Sequence, residues 1–255
     1  MSKTYIIAEG ACAHNGHMDV ARRMIDIAVS ANVDCVKFQI FRPDLIPNLS
    51  REERKYLDKC VLTVEQFGKL RDYCDNQLDF MLTPFDIPSV KGIEALGLDT
   101  IKVPSGRLFD IDYIAAIKST GKKLIISTGM CNYEEIRLAK RHFPKGTKWL
   151  HCTSSYPLEY KDLNLSVLKG SMFDGLSDHT LCVDVPAIAV ACGAKIIEKH
   201  FTLRRTLPGP DMKVSLEPIE LYDMVRKIRD VEIMLGDGRK KIEKSEKPLL
   251  YRRVN

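Results

Sequence analysis

The sequence predicts a (β/α)8 barrel, a closed ring of eight parallel strands each followed by a helix. Three observations lead there. Eight short apolar segments alternate with eight stretches of helical periodicity. The chain has 255 residues, the usual size of such a barrel. Each apolar segment also ends in hydroxyl-bearing or charged residues, as expected where barrel strands open onto the C-terminal face. A doubly wound open sheet is the main rival for the same units.

The expected strands, in order, are residues 5–9, 35–40, 80–84, 100–103, 123–127, 149–154, 172–177 (or 173–178) and 195–201. Val, Ile and Phe fill them, and several read as continuous apolar runs, as parallel strands covered on both faces should. The expected helices are residues 19–31, 63–77, 87–96, 110–119, 132–142, 163–169, 183–192 and 218–235. Thr63 with Gln66 three residues later reads as an approximate capping box. Residues 42–59, polar and broken by Pro43 and Pro47, read as a long excursion on the C-terminal face. The barrel is expected to occupy residues 1–237, with 238–255 a basic linker or surface tail.

The net charge is only +5, and the Lys and Arg residues are dispersed except near 239–247 and 252–253. That argues against nucleic acid as a partner and suits small anionic substrates. No apolar run reaches membrane-spanning length, so no membrane association is expected. The eight cysteines form no C-x-x-C pair and no export signal precedes the first strand. Reduced thiols in a cytoplasmic protein are the expectation.

The strand ends supply the candidate chemistry. The GLSDHT and GAKIIEKHFT segments place His179 and His200 one βα unit apart, at the ends of consecutive strands. Parallel crossovers bring such ends to one face. With Asp178, Glu198 and Asp211 beside them, the imidazoles make a candidate cradle for a divalent cation such as Mn2+ or Mg2+; Cys12 and His14 are possible additions. Lys37 and Lys102, with Thr83, Ser105, Ser127 and Ser177, form a cationic, hydroxyl-rich set suited to a phosphorylated acid. The plainer reading of either lysine is an ion pair with Glu9 or Glu198. No Walker or G-x-G-x-x-G sequence is present. A phosphorylated acid beside a Lewis acid suggests bond formation at a carbonyl, with carboxylates moving protons.

The ordered motifs IIAEGACAHNG, VKFQIF, MLTPFD, IKVPSG, IISTGM, LHCTSSYP, GLSDHT, GAKIIEKHFTL and GPD-x-x-x-SLEP resemble those of the N-acetylneuraminate (sialic acid) synthase family, over residues 6–246. The resemblance implies a TIM barrel that condenses phosphoenolpyruvate with an N-acetylmannosamine-like aldose, giving a nonulosonic acid and phosphate. It implies His179 and His200 as metal ligands. Lys37, Thr83, Lys102, Ser105, Ser127, Ser154 and Ser177 would hold phosphoenolpyruvate. Gln39, Tyr156 and Asp211 would contact the sugar, and Glu9 and Glu198 would lie near the reacting carbons. A homodimer is usual in that family. The chain departs from the pattern where S-G-E has become Ser105-Gly106-Arg107, and Ala13 replaces an amide. The family's C-terminal antifreeze-like domain is also not found in the sequence, so a lid from a separate domain or protein is a further expectation. Arg107 is accordingly a candidate contact to an altered, anionic acceptor, or else a partner of Glu9 or Asp110. Two other functions fit the same residues: a keto-acid lyase or aldolase using a Schiff-base lysine (Lys37, Lys102 or Lys199), and a non-catalytic barrel that only binds ligand.

Overall fold

A computed structural model describes residues 3–254. In chain order the elements are β1 (Tyr5–Ala11), α1 (Met18–Ser30), β2 (Cys35–Ile40), α2 (Arg51–Cys60), α3 (Val64–Cys74), β3 (Asp79–Pro84), α4 (Ile87–Ala95), β4 (Thr100–Val103), α5 (Ile111–Ser119), β5 (Lys123–Ser127), α6 (Tyr133–Lys140), β6 (Lys148–Cys152), β7 (Gly175–Asp178), α7 (Val185–Ala191), β8 (Ile196–His200) and α8 (Pro218–Leu235). The eight strands pair in sequence order, all parallel, and β8 returns to β1 to close the barrel. The expected (β/α)8 fold is therefore present, and the open sheet is not. No helix among the described residues is long and apolar enough to cross a membrane.

Strand alternation divides the side chains into two sets. Outward-facing residues such as Val36, Phe38, Leu82, Ile101, Ile126, Leu176 and Ile197 join the helices in the main core. Inward-facing Ile7, Cys35, Met81, Ile125, Leu150 and Ile196 form a separate apolar plug inside the barrel. One inward step further along each strand the chemistry changes. Ile7 gives way to Glu9, Cys35 to Lys37, Met81 to Thr83, Ile125 to Ser127, Leu150 to Cys152 and Ile196 to Glu198. The plug thus seals the lower barrel from water, and the layer above it is polar.

Three segments differ from the sequence expectation. The stretch expected as a helix at 163–169 is a 3-10 helix over Leu165–Lys169, entered through Asn164 in a left-handed conformation (φ 46°). Five residues between a left-handed turn and Gly170 leave no room for a stable α-helix. The 42–59 excursion contains α2, started by a full capping box: Glu53 N–H donates to Ser50 Oγ (3.2 Å) and Ser50 N–H to Glu53 Oε2 (2.8 Å). The stretch after α8 carries a 3-10 helix over Lys244–Arg252, exposed throughout.

Candidate active site

The polar layer opens into a cavity of ≈ 360 Å³ at the C-terminal end of the barrel. Its walls include Glu9, Lys37, Gln39, Thr83, Lys102, Ser105, Ser127, Ser154, Tyr156, Ser177, His179, Glu198, His200 and Asp211. These residues come from all eight strand ends and the loop after β8, and the sheet register aligns several of them. Glu9 lies opposite Lys37 of β2 on one side and His200 of β8 on the other. Ser177 lies opposite Glu198, and Gln39 opposite Thr83.

Two ammonium and two carboxylate groups share the cavity floor. Lys37 pairs with Glu9 and lies 3.4 Å from Glu198, while Lys102 lies 3.6 Å from the other Glu198 oxygen. All four are at least 95% buried, so they need each other to remain charged. Hydroxyls complete the lysines: Lys37 Nζ donates to Thr83 Oγ1 (2.6 Å) and Lys102 Nζ to Ser127 Oγ (2.7 Å). The ion pairs expected for these lysines are thus present, with Glu9 and Glu198 both serving as partners. In the absence of an anion the carboxylates balance them.

The environment drives the two acids apart. Burial would raise Glu198, but Lys102 and Lys37, with a 2.8 Å hydrogen bond from Ser177, hold it down near about 2. Burial pushes Glu9 up to about 7, and the Glu198 charge adds to that against the pull of Lys37. One acid is thus kept ionised while the other can hold a proton near neutral pH. Burial lowers Lys102, whereas Glu198 and Glu9 outweigh burial at Lys37 and raise it. Asp211 is raised by burial.

His179 and His200 stand side by side, ring centroids 5.5 Å apart, with the Tyr156 ring 4.2 Å from His179 across the mouth. His179 Nδ1 donates to the Thr153 carbonyl (2.9 Å), which orients the ring and makes Nε2 the nitrogen left for a ligand. Burial and the neighbouring His179 keep His200 well below its ordinary pKa, so it is neutral. Its buried Nδ1 has no hydrogen-bond partner. Two imidazoles, one oriented by a carbonyl and one with an unsatisfied nitrogen, fit a divalent cation whose other ligands come from substrate or water. Among the described residues no group of three or more His, Cys, Asp or Glu is arranged to enclose a metal. An open, two-imidazole site is what these residues can offer.

Several sequence expectations are corrected by position. Arg107 does not line the cavity; its guanidinium donates to Asp110 (2.7 Å) and to the Phe85 carbonyl (2.5 Å) and lies over the Tyr113 ring. That is the second of the two roles considered for it. Asp178 does not flank the imidazoles, because it follows Ser177 on the strand and so points to the opposite face. There it pairs with Lys199 (2.7 Å) in a fully buried contact, which also removes Lys199 from the candidate Schiff-base lysines. His14 lies between the Phe38 and Phe67 rings, away from the cavity. Phe85, Pro104, Gly106, Met130 and Cys152 line the walls as well, and sequence reasoning did not single them out for the site. Cys152 follows Leu150 inward on β6, so the two-residue period could have found it; Phe85 and Met130 sit on loops, where no period applies. Gly129 has its own role: a Cβ there would lie 2.1 Å from Ser154 Oγ and 2.9 Å from Ser105 Oγ. Its missing side chain lets both hydroxyls crowd the wall, and its N–H donates to Ser105 Oγ at 2.9 Å.

A model of the NeuB family matches residues 24–240. This chain belongs to that family. Among its relatives, the N,N'-diacetyllegionaminic acid synthase of Legionella pneumophila is 36% identical, over 96% of this chain and 77% of the relative. The human N-acetylneuraminate-9-phosphate synthase is 32% identical, over 93% of this chain and 73% of its own. A crystal structure of the N-acetylneuraminic acid synthetase of Leptospira borgpetersenii, in complex with citrate, superposes with a TM-score of 0.91 at 32% identity, covering 99% of this chain and 92% of that one. The family resemblance carried by the motifs is thus established across nearly the whole barrel.

Proposed function

We propose that this chain condenses phosphoenolpyruvate with an N-acetylmannosamine-like amino sugar, forming a nonulosonic acid and releasing phosphate. Family membership supports the reaction class, since the relatives named above are nonulosonic acid synthases. The observation that carries the assignment to this cavity is the pair of buried lysines, each seated on a hydroxyl, facing two neighbouring imidazoles.

In this reading Lys37 and Lys102 exchange their carboxylate partners for the phosphate and carboxylate of phosphoenolpyruvate, with Thr83, Ser105, Ser127, Ser154 and Ser177 donating to the same oxygens. The added negative charge raises Glu9 further above about 7, so it enters the reaction protonated. The enol C3 attacks the aldehyde carbon of the sugar, and Glu9 can give its proton to the new hydroxyl. Water then adds at C2, and the Glu198 carboxylate, whose lysine partners have turned to the substrate, can take a proton from it. Glu9, by then a carboxylate, can take the remaining proton of the C2 hydroxyl as the C2–O bond to phosphate breaks; the keto group forms and the lysines hold the charge of the departing phosphate. Gln39, Tyr156 and Asp211 at the rim are placed to meet the sugar hydroxyls. A divalent cation held by His179 and His200 would polarise the aldehyde.

The test is phosphate release from phosphoenolpyruvate with and without N-acetylmannosamine and its 4-acetamido derivative, in Mn2+ and in chelator, with the product weighed. Release that depends on sugar and metal supports the proposal. A pyruvate adduct trapped on Lys102 or Lys37 by borohydride would replace it with lyase chemistry.

A further inference from the structure

We infer that Tyr56 of α2 is a positioning residue for the acceptor sugar: it braces the β1–α1 loop against the turn after β8, and through them seats Gln39 and Asp211 in the cavity wall. The inference takes only the identity of the ligand from the proposed function; the braced rim is a matter of geometry. Tyr56 does not itself line the cavity. It stands one layer out, partly buried against a small apolar cluster of Cys12, Phe41 and Cys60 that is separate from the main core. Phe85 packs on the same cluster and also lines the cavity, so α2 backs directly onto the wall.

Two contacts make Tyr56 a brace. Its hydroxyl donates to the Cys12 carbonyl in the β1–α1 loop at 3.3 Å, and the thiol of that same residue donates to Gln39 Oε1 at 3.4 Å. The other contact is with Gly209, in the turn that leads from β8 to Asp211. A Cβ on Gly209 would lie 2.5 Å from the Tyr56 hydroxyl oxygen and 3.0 Å from its Cζ. The same glycine has φ 142° and ψ 149°, a conformation that residues with side chains avoid. Glycine therefore lets the turn pass directly against the hydroxyl. Asp211, two residues on, reaches the cavity. Within the turn, Ser215 Oγ donates to the Asp211 carbonyl at 2.8 Å and Met212 is buried, which fixes its far end. Tyr56 fixes the near end.

The two halves of the cavity are thus held in different ways. Lys37, Thr83, Lys102 and Ser127 sit within strands β2 to β5, so the barrel sheet itself fixes the groups for phosphoenolpyruvate. Asp211 sits on a loop, and its place depends on what the loop rests against. A change at Tyr56 should therefore reach the sugar and spare phosphoenolpyruvate.

Tyr56→Phe keeps the ring and removes the hydroxyl. In the full-length chain its KM for the sugar, N-acetylmannosamine or its 4-acetamido derivative, should rise about 3- to 10-fold, while the KM for phosphoenolpyruvate stays within about twofold. Tyr56→Ala, which removes the ring as well, should raise the sugar KM further and again spare phosphoenolpyruvate. Hydrogen exchange read by mass spectrometry needs no turnover. The Met212 and Ser215 amides donate to the Gly209 and Met212 carbonyls; in Tyr56→Ala they should exchange several-fold faster, with peptides of β3 to β5 unchanged. The inference is overturned if the two KM values shift together, if neither shifts, or if the turn exchanges at the parent's rate. A parent that releases no phosphate with either sugar removes the proposed function instead, and the exchange result alone then decides whether Tyr56 braces the turn.

Discussion

Replacing Lys199 by Met separates the structural charges of this barrel from its chemical ones. Lys199 and Asp178 are both fully buried, with Nζ 2.7 Å from Oδ2. Lys199 also donates to the Thr180 carbonyl, and Asp178 accepts from Thr180 N–H (2.9 Å) and Thr180 Oγ1 (3.1 Å). Removing one member of such a pair strands the other charge, at a cost of about 3–5 kcal/mol, against a total stability of about 5–15 kcal/mol. Asp178→Leu should cost at least as much, because Thr180 N–H loses its acceptor too, for about 1–3 kcal/mol more. The double variant Lys199→Met/Asp178→Leu strands no charge. It keeps only the Thr180 penalty, so it should be about 3 kcal/mol more stable than Asp178→Leu alone. Urea unfolding followed by circular dichroism measures all four proteins. Phosphate release per folded molecule should be unchanged in Lys199→Met, because Lys199 faces the helices while its neighbours Glu198 and His200 face the cavity. Two results would refute the reasoning: a double variant whose loss equals the sum of the single losses, or a Lys199→Met protein of normal stability that has lost activity.

Other perturbations read other parts of the molecule. Lys102→Met should weaken phosphoenolpyruvate use by about 10- to 100-fold in kcat/KM, the value of a charge-assisted bond of about 1.5–3 kcal/mol, and should lower the urea midpoint as well, because Glu198 loses one of its two buried cationic neighbours; a steady-state titration of phosphoenolpyruvate per folded molecule checks it. Gly129→Ala should displace the Ser105 and Ser154 hydroxyls and raise the KM for phosphoenolpyruvate, while thermal melting changes by no more than about 1–3 kcal/mol of overpacking allows. Arg107→Ala, which breaks the Asp110 and Phe85 contacts, should lower stability and leave the ranking of neutral and phosphorylated aldoses unchanged in a competition assay. His14 is lowered from 6.5 to about 4, chiefly by burial. The unfolded chain therefore takes up a proton that the folded chain refuses, so this stability is full above pH 6.5 and is lost as pH falls from there toward 4. Between pH 6.5 and 5 the loss is about 2 kcal/mol, and a His14→Gln variant should show a correspondingly flatter dependence of urea midpoint on pH.

The strands and the cavity were legible in the sequence for the same reason. A strand covered on both faces must be apolar along its length, so a lysine or glutamate inside one, as at Lys37, Lys102 and Glu198, stands out at once. A period of two then decides which neighbours share its face. Where that period was not applied the reading failed. Adjacency in sequence suggests Asp178 beside His179, although adjacency in a strand means opposite faces. Arg107 had no strand to orient it, and it found acceptors in Asp110 before α5 and in the Phe85 carbonyl after β3. α2 was hidden by its polarity, although the Ser50–Glu53 capping box marked its start. The helix expected at 163–169 had apolar residues in a helical pattern, but only five residues lie between the left-handed Asn164 and Gly170. Periodicity reports which face a segment buries, and says nothing of whether a turn has room to propagate.

The buried charges also explain why such a polar interior does not undermine the barrel. Lys37, Lys102, Glu9 and Glu198 sum to zero, and each contacts an opposite charge, so no ion faces the low-dielectric interior alone. Neutrality is reached with carboxylates that a doubly charged ligand can replace as partners of the lysines. In the proposed reaction the same four groups would balance one another without ligand and release the lysines to an incoming anion. Glu9, which burial and Glu198 have already pushed up to about 7, can meet that anion's charge by taking up a proton. Binding of a dianion should therefore be accompanied by proton uptake near neutral pH. A calorimetric titration of phosphoenolpyruvate in buffers of different ionisation enthalpy would measure it. Uptake in the parent that vanishes in Glu9→Gln is the expected result, and equal uptake in both would show that Glu9 is not the proton's destination.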